Sequence, residues 1–253
     1  MSDKLNLEHV LLTRVAPFVV NVQLNRPNQR NALNGRLWHE IGQVFKFLDT
    51  DPDTRVVILS GNGRVFCAGL DLKESQEIMG PQDDHETDLA RKARKLREKI
   101  LEFQESFNLV EACSKPVIAA IHGACVGGGI DLVCCCDIRI ASGKTIFSVK
   151  EVDIGLAADT GSLNRLPKIC GNESWIKDIS YTARIFDEKE AFQYSLISKI
   201  YETKEEVMKA ALEMATVIAE KSPVAVQGTK MTLNYSRDHT VSDSLHFIAN
   251  WSV

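Results

Sequence analysis

HGACVGGGIDLVCCCDIRIASGKTIFSVKEVDIGLAADTGSLNRL, residues 122–166, carries the reading of this chain. The stretch before it, Pro116–His122 (PVIAAIH), is short, apolar and rich in β-branched residues, which predicts a buried strand. Gly127, Gly128 and Gly129 then open a short apolar helix, predicted over Ile130–Cys136. Two further strands are predicted over Asp137–Ala141 and Thr145–Val149. Glycines between a strand and a helix leave backbone N–H groups bare, a place for a ligand anion or a developing oxyanion. Neither a Gly-Lys-Ser/Thr phosphate loop nor the G-x-G-x-x-G spacing of a dinucleotide site is present. Tight packing of helix on sheet would call for the same glycines, and the pattern alone leaves both readings open.

Three carboxylates stand in this stretch. Asp131 lies in the first turn of an otherwise apolar helix, where an acid without a partner is costly to bury, the alternative reading being a favourable interaction with the helix dipole. Glu151 and Asp159 flank the apolar run 154–158, which would desolvate them and raise their pKa values toward the range of general acid–base catalysis; a solvated loop would carry the same acids, and the pattern alone leaves both readings open. Asp153 reads as a solvated neighbour. Cys134, Cys135 and Cys136 are three of seven cysteines, an odd count without paired CxxC motifs, so they read as small core hydrophobes and not as a metal site or disulfide framework. His122 reads as a hydrogen-bonded core residue, and Phe66 and Phe147 as core or pocket wall.

Upstream, Val10–Val15 and Phe18–Leu24 predict a hairpin turning at Ala16-Pro17. A polar loop from Asn25 to Asn31 precedes a helix marked by Leu37, Ile41, Val44, Phe45 and Leu48, and Arg55–Ser60 reads as a buried strand. The segment from Phe66 to about Glu74 is a second loop in which small residues let a ligand approach the main chain, and a charged helix is predicted over Thr87–Ala112. The last third is mostly helical. Strands alternating with helices predict an α/β fold.

With 253 residues, 44% hydrophobic and 25% charged, the chain has the composition of a globular protein large enough to bury a core unaided. A net charge of −4 gives no general pull toward nucleic acid or acidic membranes, and no apolar run is long enough to span a bilayer. Neither end shows a transit peptide, a secretory leader or a Ser-Lys-Leu tail.

LNRPNQRNALN (24–34), VFCAGLDL (65–72), HGACVGGGIDL (122–132) and the segment 147–166, in this order and spacing, resemble the enoyl-CoA hydratase/isomerase (crotonase) superfamily over essentially the whole chain. The acid set Asp131, Glu151 and Asp159, with KEVDIGLAADTG and KSPVAVQGTK, is most similar to the Δ3,5-Δ2,4-dienoyl-CoA isomerases. In hydratases of the superfamily, glutamates stand at the positions of Asp131 and Glu151 and glycine at that of Asp159. The rival readings are a 2-enoyl-CoA hydratase and a non-catalytic acyl-CoA- or RNA-binding member of the same fold.

The resemblance implies a crotonase-like spiral of strands and helices over 1–195. It implies a helical segment over 196–253 through which members associate into trimers or hexamers. The chain stops at Trp251-Ser-Val253, where relatives carry a further helix, which reads as a shortened association segment. Glu151 would take a proton from C2 of a 3,5-dienoyl thioester, Asp159 would return one to C6, and Asp131 would bias which acid holds the proton; the order of Glu151 and Asp159 is less firmly implied than the pair. The Ala68 and Gly128 N–H groups would form the oxyanion hole, with Gly129 beside it. Gly69, Leu70, Asp71, Leu72 and Arg30 would help to hold coenzyme A. The acyl-CoA is substrate, and neither metal nor cofactor is implied. The basic run from Arg91 to Lys99 lies where one type of member binds RNA, but it lacks interleaved aromatics and reads as a solvated face, arguing against nucleic acid. By the same resemblance the compartment is the mitochondrial matrix or the peroxisome.

Overall fold

A computed structural model describes residues 5–74 and 88–251. Strands β1 (Val10–Ala16) and β2 (Val19–Leu24) form the expected hairpin, antiparallel, with a register shift between Arg14 and Ala16. From β2 the sheet continues in parallel through β3 (Val56–Gly61), β4 (Val117–Ile121), β6 (Ile138–Ser142) and β9 (Lys199–Tyr201). A smaller sheet holds β5 (Ala124–Val126), β7 (Ile146–Ser148) and β8 (Phe186–Asp187).

The parallel strands read as continuous apolar runs because both faces of the large sheet are covered. Along β3, Val57 and Leu59 face one cluster, while Val56 and Ile58 face another. The first cluster takes Leu37, Ile41, Val44, Phe45 and Leu48 from helix α1 (Gly35–Thr50), and Phe103, Phe107 and Val110 from α2 (Leu89–Ala112). The second is closed by Val207, Ala211, Ala215 and Ala219, a stripe at four-residue spacing on α7 (Lys204–Ala219). Cys134, Cys135 and Cys136 are buried in the first cluster, as their apolar context predicted.

Helix α3 (Gly128–Cys134) begins two residues before the sequence placed it. Gly127, at φ +52°, stands just ahead of it, so Gly128 and Gly129 form its first turn. Helices α4 (Ser162–Cys170), α5 (Glu173–Thr182) and α6 (Glu188–Gln193) follow. Beyond residue 195 the chain adds β9 to the large sheet and α7 to its face before α8 (Pro223–Ser236) and α9 (Val241–Trp251).

One turn positions the site. At Gly123 (φ +67°) the chain leaves the large sheet for the small one, and a β-carbon there would lie 2.2 Å from the Arg64 carbonyl oxygen. Only glycine fits that close approach. His122, just before it, is buried and within 3.1 Å of the Gly63 carbonyl, and burial pushes its pKa down to about 4. It is a core histidine, as read from the sequence.

Ile58 is fully buried between the sheet and α7. Replacing it with alanine should lower unfolding stability by about 2–5 kcal/mol, read as a reduced urea midpoint without loss of the native circular dichroism spectrum.

Candidate active site

The site is built where two loops are laced together by their backbones. Cys67 N–H donates to the Ala124 carbonyl and Val126 N–H to the Cys67 carbonyl, each at 3.0 Å. Gly69 (φ +85°) then passes so close to the second loop that a β-carbon on it would meet the Val126 carbonyl oxygen at 2.9 Å. On the other side, the Gly69 carbonyl accepts from Leu33 N–H at 2.7 Å, and Asp71 N–H donates to the Leu33 carbonyl at 3.0 Å.

This lacing corrects one expectation. Ala68 N–H donates to the Arg30 carbonyl at 3.0 Å, so it is not free to hold an oxyanion. Arg30 adopts a left-handed conformation (φ 52°) at the end of a short 3₁₀ turn, and its carbonyl is the acceptor that occupies this amide. Among the described residues, the uncommitted donors on the two loops include Leu70 N–H and Gly128 N–H. Both residues line one cavity of about 230 Å³.

All three predicted acids line that same cavity. Asp131 is 1% exposed. Its Oδ1 accepts from Ser162 N–H at 2.6 Å, while Oδ2 has no partner among the described residues. Burial raises its pKa, opposed in part by the Ser162 amide. Glu151 opens a 3₁₀ turn over Glu151–Ile154, and its Oε2 is buried and unpartnered. Burial pushes the Glu151 carboxyl up to about 7, with the charge on Asp131 adding to the rise. Asp159 is the exposed member of the trio, and burial of part of its carboxyl still raises its pKa. Ile154, Leu156 and Ala157, from the apolar run between the acids, line the cavity with them. Asp153 lies outside and pairs with Lys150 at 2.6 Å.

The remaining predicted residues separate. Ala68, Gly69, Leu70 and Leu72 line the cavity. Asp71 instead pairs with buried Arg26 at 2.9 Å. Burial would raise the Asp71 pKa, but the Arg26 guanidinium and the Lys73 amide hold it below the usual carboxylate range. Gly129 packs against Cys67, whose β-carbon would lie 3.0 Å from an added methyl, and does not line the cavity. The Arg30 side chain is exposed on the loop outside it. Phe66 and Phe147 are fully buried core residues. Among the basic residues of α2, Lys99 reaches the cavity and also pairs with Glu102 at 2.9 Å.

Sequence reasoning did not single out Trp38, Gln104 or Ser162, and it placed Arg26 only at the start of the loop 26–33 that the resemblance assigns to coenzyme A. Trp38 lines the cavity and stacks on Phe103 at 4.4 Å between ring centroids. Gln104 Nε2 donates to the Asp159 carbonyl at 2.6 Å and ties α2 to the acid loop. Arg26 anchors the loop through Asp71 and Glu74, and Ser162 holds Asp131. Arg26 carried a signal, a lone arginine inside the polar loop ahead of α1; the others are fixed by contacts between distant segments.

Unspent amide donors beside carboxylates of raised pKa suit an enzyme that forms and quenches an enolate. The family model for enoyl-CoA hydratase/isomerase matches residues 16–249, and the chain belongs to that family. It is 47% identical over 247 residues to the mitochondrial Delta(3,5)-Delta(2,4)-dienoyl-CoA isomerase of Homo sapiens, covering 97% of this chain and 74% of the relative. To the peroxisomal Delta(3,5)-Delta(2,4)-dienoyl-CoA isomerase of Arabidopsis thaliana it is 42% identical over 234 residues, 92% of this chain and 84% of the relative. Its fold is similar to a crystal structure of an enoyl-CoA hydratase from Bacillus anthracis, with a TM-score of 0.86 at 28% identity over 97% of this chain and 90% of that one.

Raised acids cost stability as pH rises. Unfolded Glu151 ionises near 4.5, whereas folded Glu151 keeps its proton to about 7. Stability from this residue is therefore full below the lower value and falls through the window between them. Glu151→Gln should raise the melting temperature relative to the parent more at pH 8 than at pH 5. An equal difference at both would argue against a raised Glu151 pKa.

Proposed function

We propose that this chain is an isomerase that converts 3,5-dienoyl-CoA to 2,4-dienoyl-CoA in the β-oxidation of unsaturated fatty acids. The observation that carries the reading is the third acid, Asp159, lining the same cavity as Glu151, Asp131 and the two free amides. A single carboxylate cannot serve both C2 and C6 of a rigid dienolate without moving, so two are needed. The strong similarity to relatives named for this reaction supports the same reading.

In this mechanism ionised Glu151 removes a C2 proton, and negative charge spreads along the conjugated chain to the thioester oxygen. Leu70 N–H and Gly128 N–H donate to that oxygen, and losing one such donor typically costs about 3–4 kcal/mol of transition-state stabilisation. Protonated Asp159 delivers a proton to C6. Asp131 acts through Glu151: burial of Glu151 itself raises its carboxyl toward neutral pH, and the neighbouring Asp131 charge adds to the rise, so the acid can both take and release a proton. Only protons and double bonds move, so the reaction balances without an oxidant, a reductant or a second substrate. The Arg30 loop and residues 68–72 are proposed to hold the coenzyme A portion.

By the same relationship we propose a mitochondrial or peroxisomal location, the two that the relatives' names give. We also propose that residues 196–253 mediate assembly into trimers or hexamers. Leu233, Val241 and Leu245 support this, since α8 and α9 leave them 64%, 78% and 63% exposed. Sedimentation velocity should then give a multiple of three chains, and a monomer would remove the assembly proposal.

Purified protein given 3,5-dienoyl-CoA should produce the strong ultraviolet absorbance of a conjugated 2,4-dienoyl thioester. With 2-enoyl-CoA it should show little hydration. Glu151→Gln and Asp159→Asn should each lower turnover by about 10²–10⁴ while leaving coenzyme A binding largely intact. Full activity in Asp159→Asn would rule out the two-acid shuttle.

A further inference from the structure

Each turnover of a two-acid shuttle leaves its acids in the wrong state: Glu151 has gained a proton and Asp159 has lost one. The cycle closes by internal relay from Glu151 to Asp159, or by exchange of each acid with solvent. The structure treats the acids differently. Asp131 and Glu151 line the 230 Å³ cavity that would hold the acyl chain, and not the polar cavity beside it. Glu151 Oε2 and Asp131 Oδ2 are both buried and unpartnered.

Asp159 and Thr160, by contrast, line that cavity and also a second one of about 640 Å³. The second cavity lies between α2, α4 and the end of α8, and its wall is polar, including Gln104, Asn108, Asn164, Lys168 and Asn234. Asn108, Asn164 and Lys168 are exposed, so this cavity opens to solvent. An acyl chain filling the first cavity would seal Glu151 while leaving Asp159 open from behind.

We propose that the polar cavity is the proton-supply route of Asp159, so the proton placed at C6 comes from solvent and not from C2 of an earlier substrate. This inference rests on the isomerase reading. The balance is simple. Asp159–COOH gives its proton to C6 and becomes a carboxylate, which takes a proton from water through the polar cavity. Glu151–COOH, formed from the C2 proton, returns that proton to solvent through the acyl cavity once product has left. Gln104 holds the Asp159 backbone at 2.6 Å on the side of the polar cavity, so the acid stays in the wall between the two spaces.

The test is isotopic, in many turnovers at saturating substrate. With unlabelled 3,5-dienoyl-CoA in D₂O, mass spectrometry and NMR should find one solvent deuterium at C6 of each product. With C2-deuterated substrate in H₂O, deuterium should be absent from C6. C2-derived deuterium at C6 of successive products would show an internal relay and overturn the proposal. Absence of any conjugated product would instead count against the isomerase reading itself.

A second arm uses Asn164, which lines the polar cavity and not the smaller one. Asn164→Trp should lower kcat several-fold and enlarge the solvent isotope effect on kcat, with KM unchanged, and Asn164→Gln should restore both. An unchanged kcat and isotope effect in Asn164→Trp would also overturn the proposal.

Discussion

The site depends on one constraint: two loops from distant parts of the chain must run in backbone contact. Residues 66–72 and 123–128 exchange hydrogen bonds at Cys67 and Cys125, and then touch where Gly69 meets Val126 and Gly127. A buried amide without a partner is normally costly, so a free N–H beside a cavity exists only where the surrounding ladder has used every nearby acceptor. Here Leu33, Arg30 and Cys67 take up the neighbouring groups in turn, leaving Leu70 and Gly128 as donors. Both are oriented by main chain, so no side-chain rotamer has to be ordered when charge develops.

The carboxylates follow the opposite logic. They are kept short of favourable partners, and their pKa values rise for that reason. Asp131 has one strong contact, the Ser162 amide, at one oxygen. Glu151 has an unpartnered buried oxygen and a negative neighbour. Asp71, less desolvated and paired with Arg26, is held low instead. The contrast separates an acid that fixes a loop from acids that can exchange protons. The cost of keeping the latter is borne by the large covered sheet, whose two apolar faces supply stability away from the site.

The placement of α2 joins these parts. Its apolar residues Phe103 and Phe107 stack on Trp38 in the core, while Gln104 reaches the Asp159 backbone. The same helix therefore lines the smaller cavity and forms one side of the polar one. The result is an asymmetric environment for the acids: Asp131 and Glu151 line the smaller cavity and not the polar one, while Asp159 lines both.

Periodicity and turn chemistry were enough to read the hairpin, α1, the buried parallel strands and the entry into α3, because those features rest on contacts near in sequence or on burial that composition reveals. The acid trio was legible for the same reason: charges embedded in apolar runs stand out. The strand β9, the pairing of Asp71 with Arg26, and the packing of Gly129 on Cys67 were not, since each is settled by a segment far away in the chain. The free amide of this loop is the clearest case. Sequence determined that the loop Ala68–Leu72 would present an amide, but which amide was left free depended on the Arg30 carbonyl turning toward Ala68. Backbone hydrogen bonds between loops carry no residue code, so only the tertiary structure could decide it.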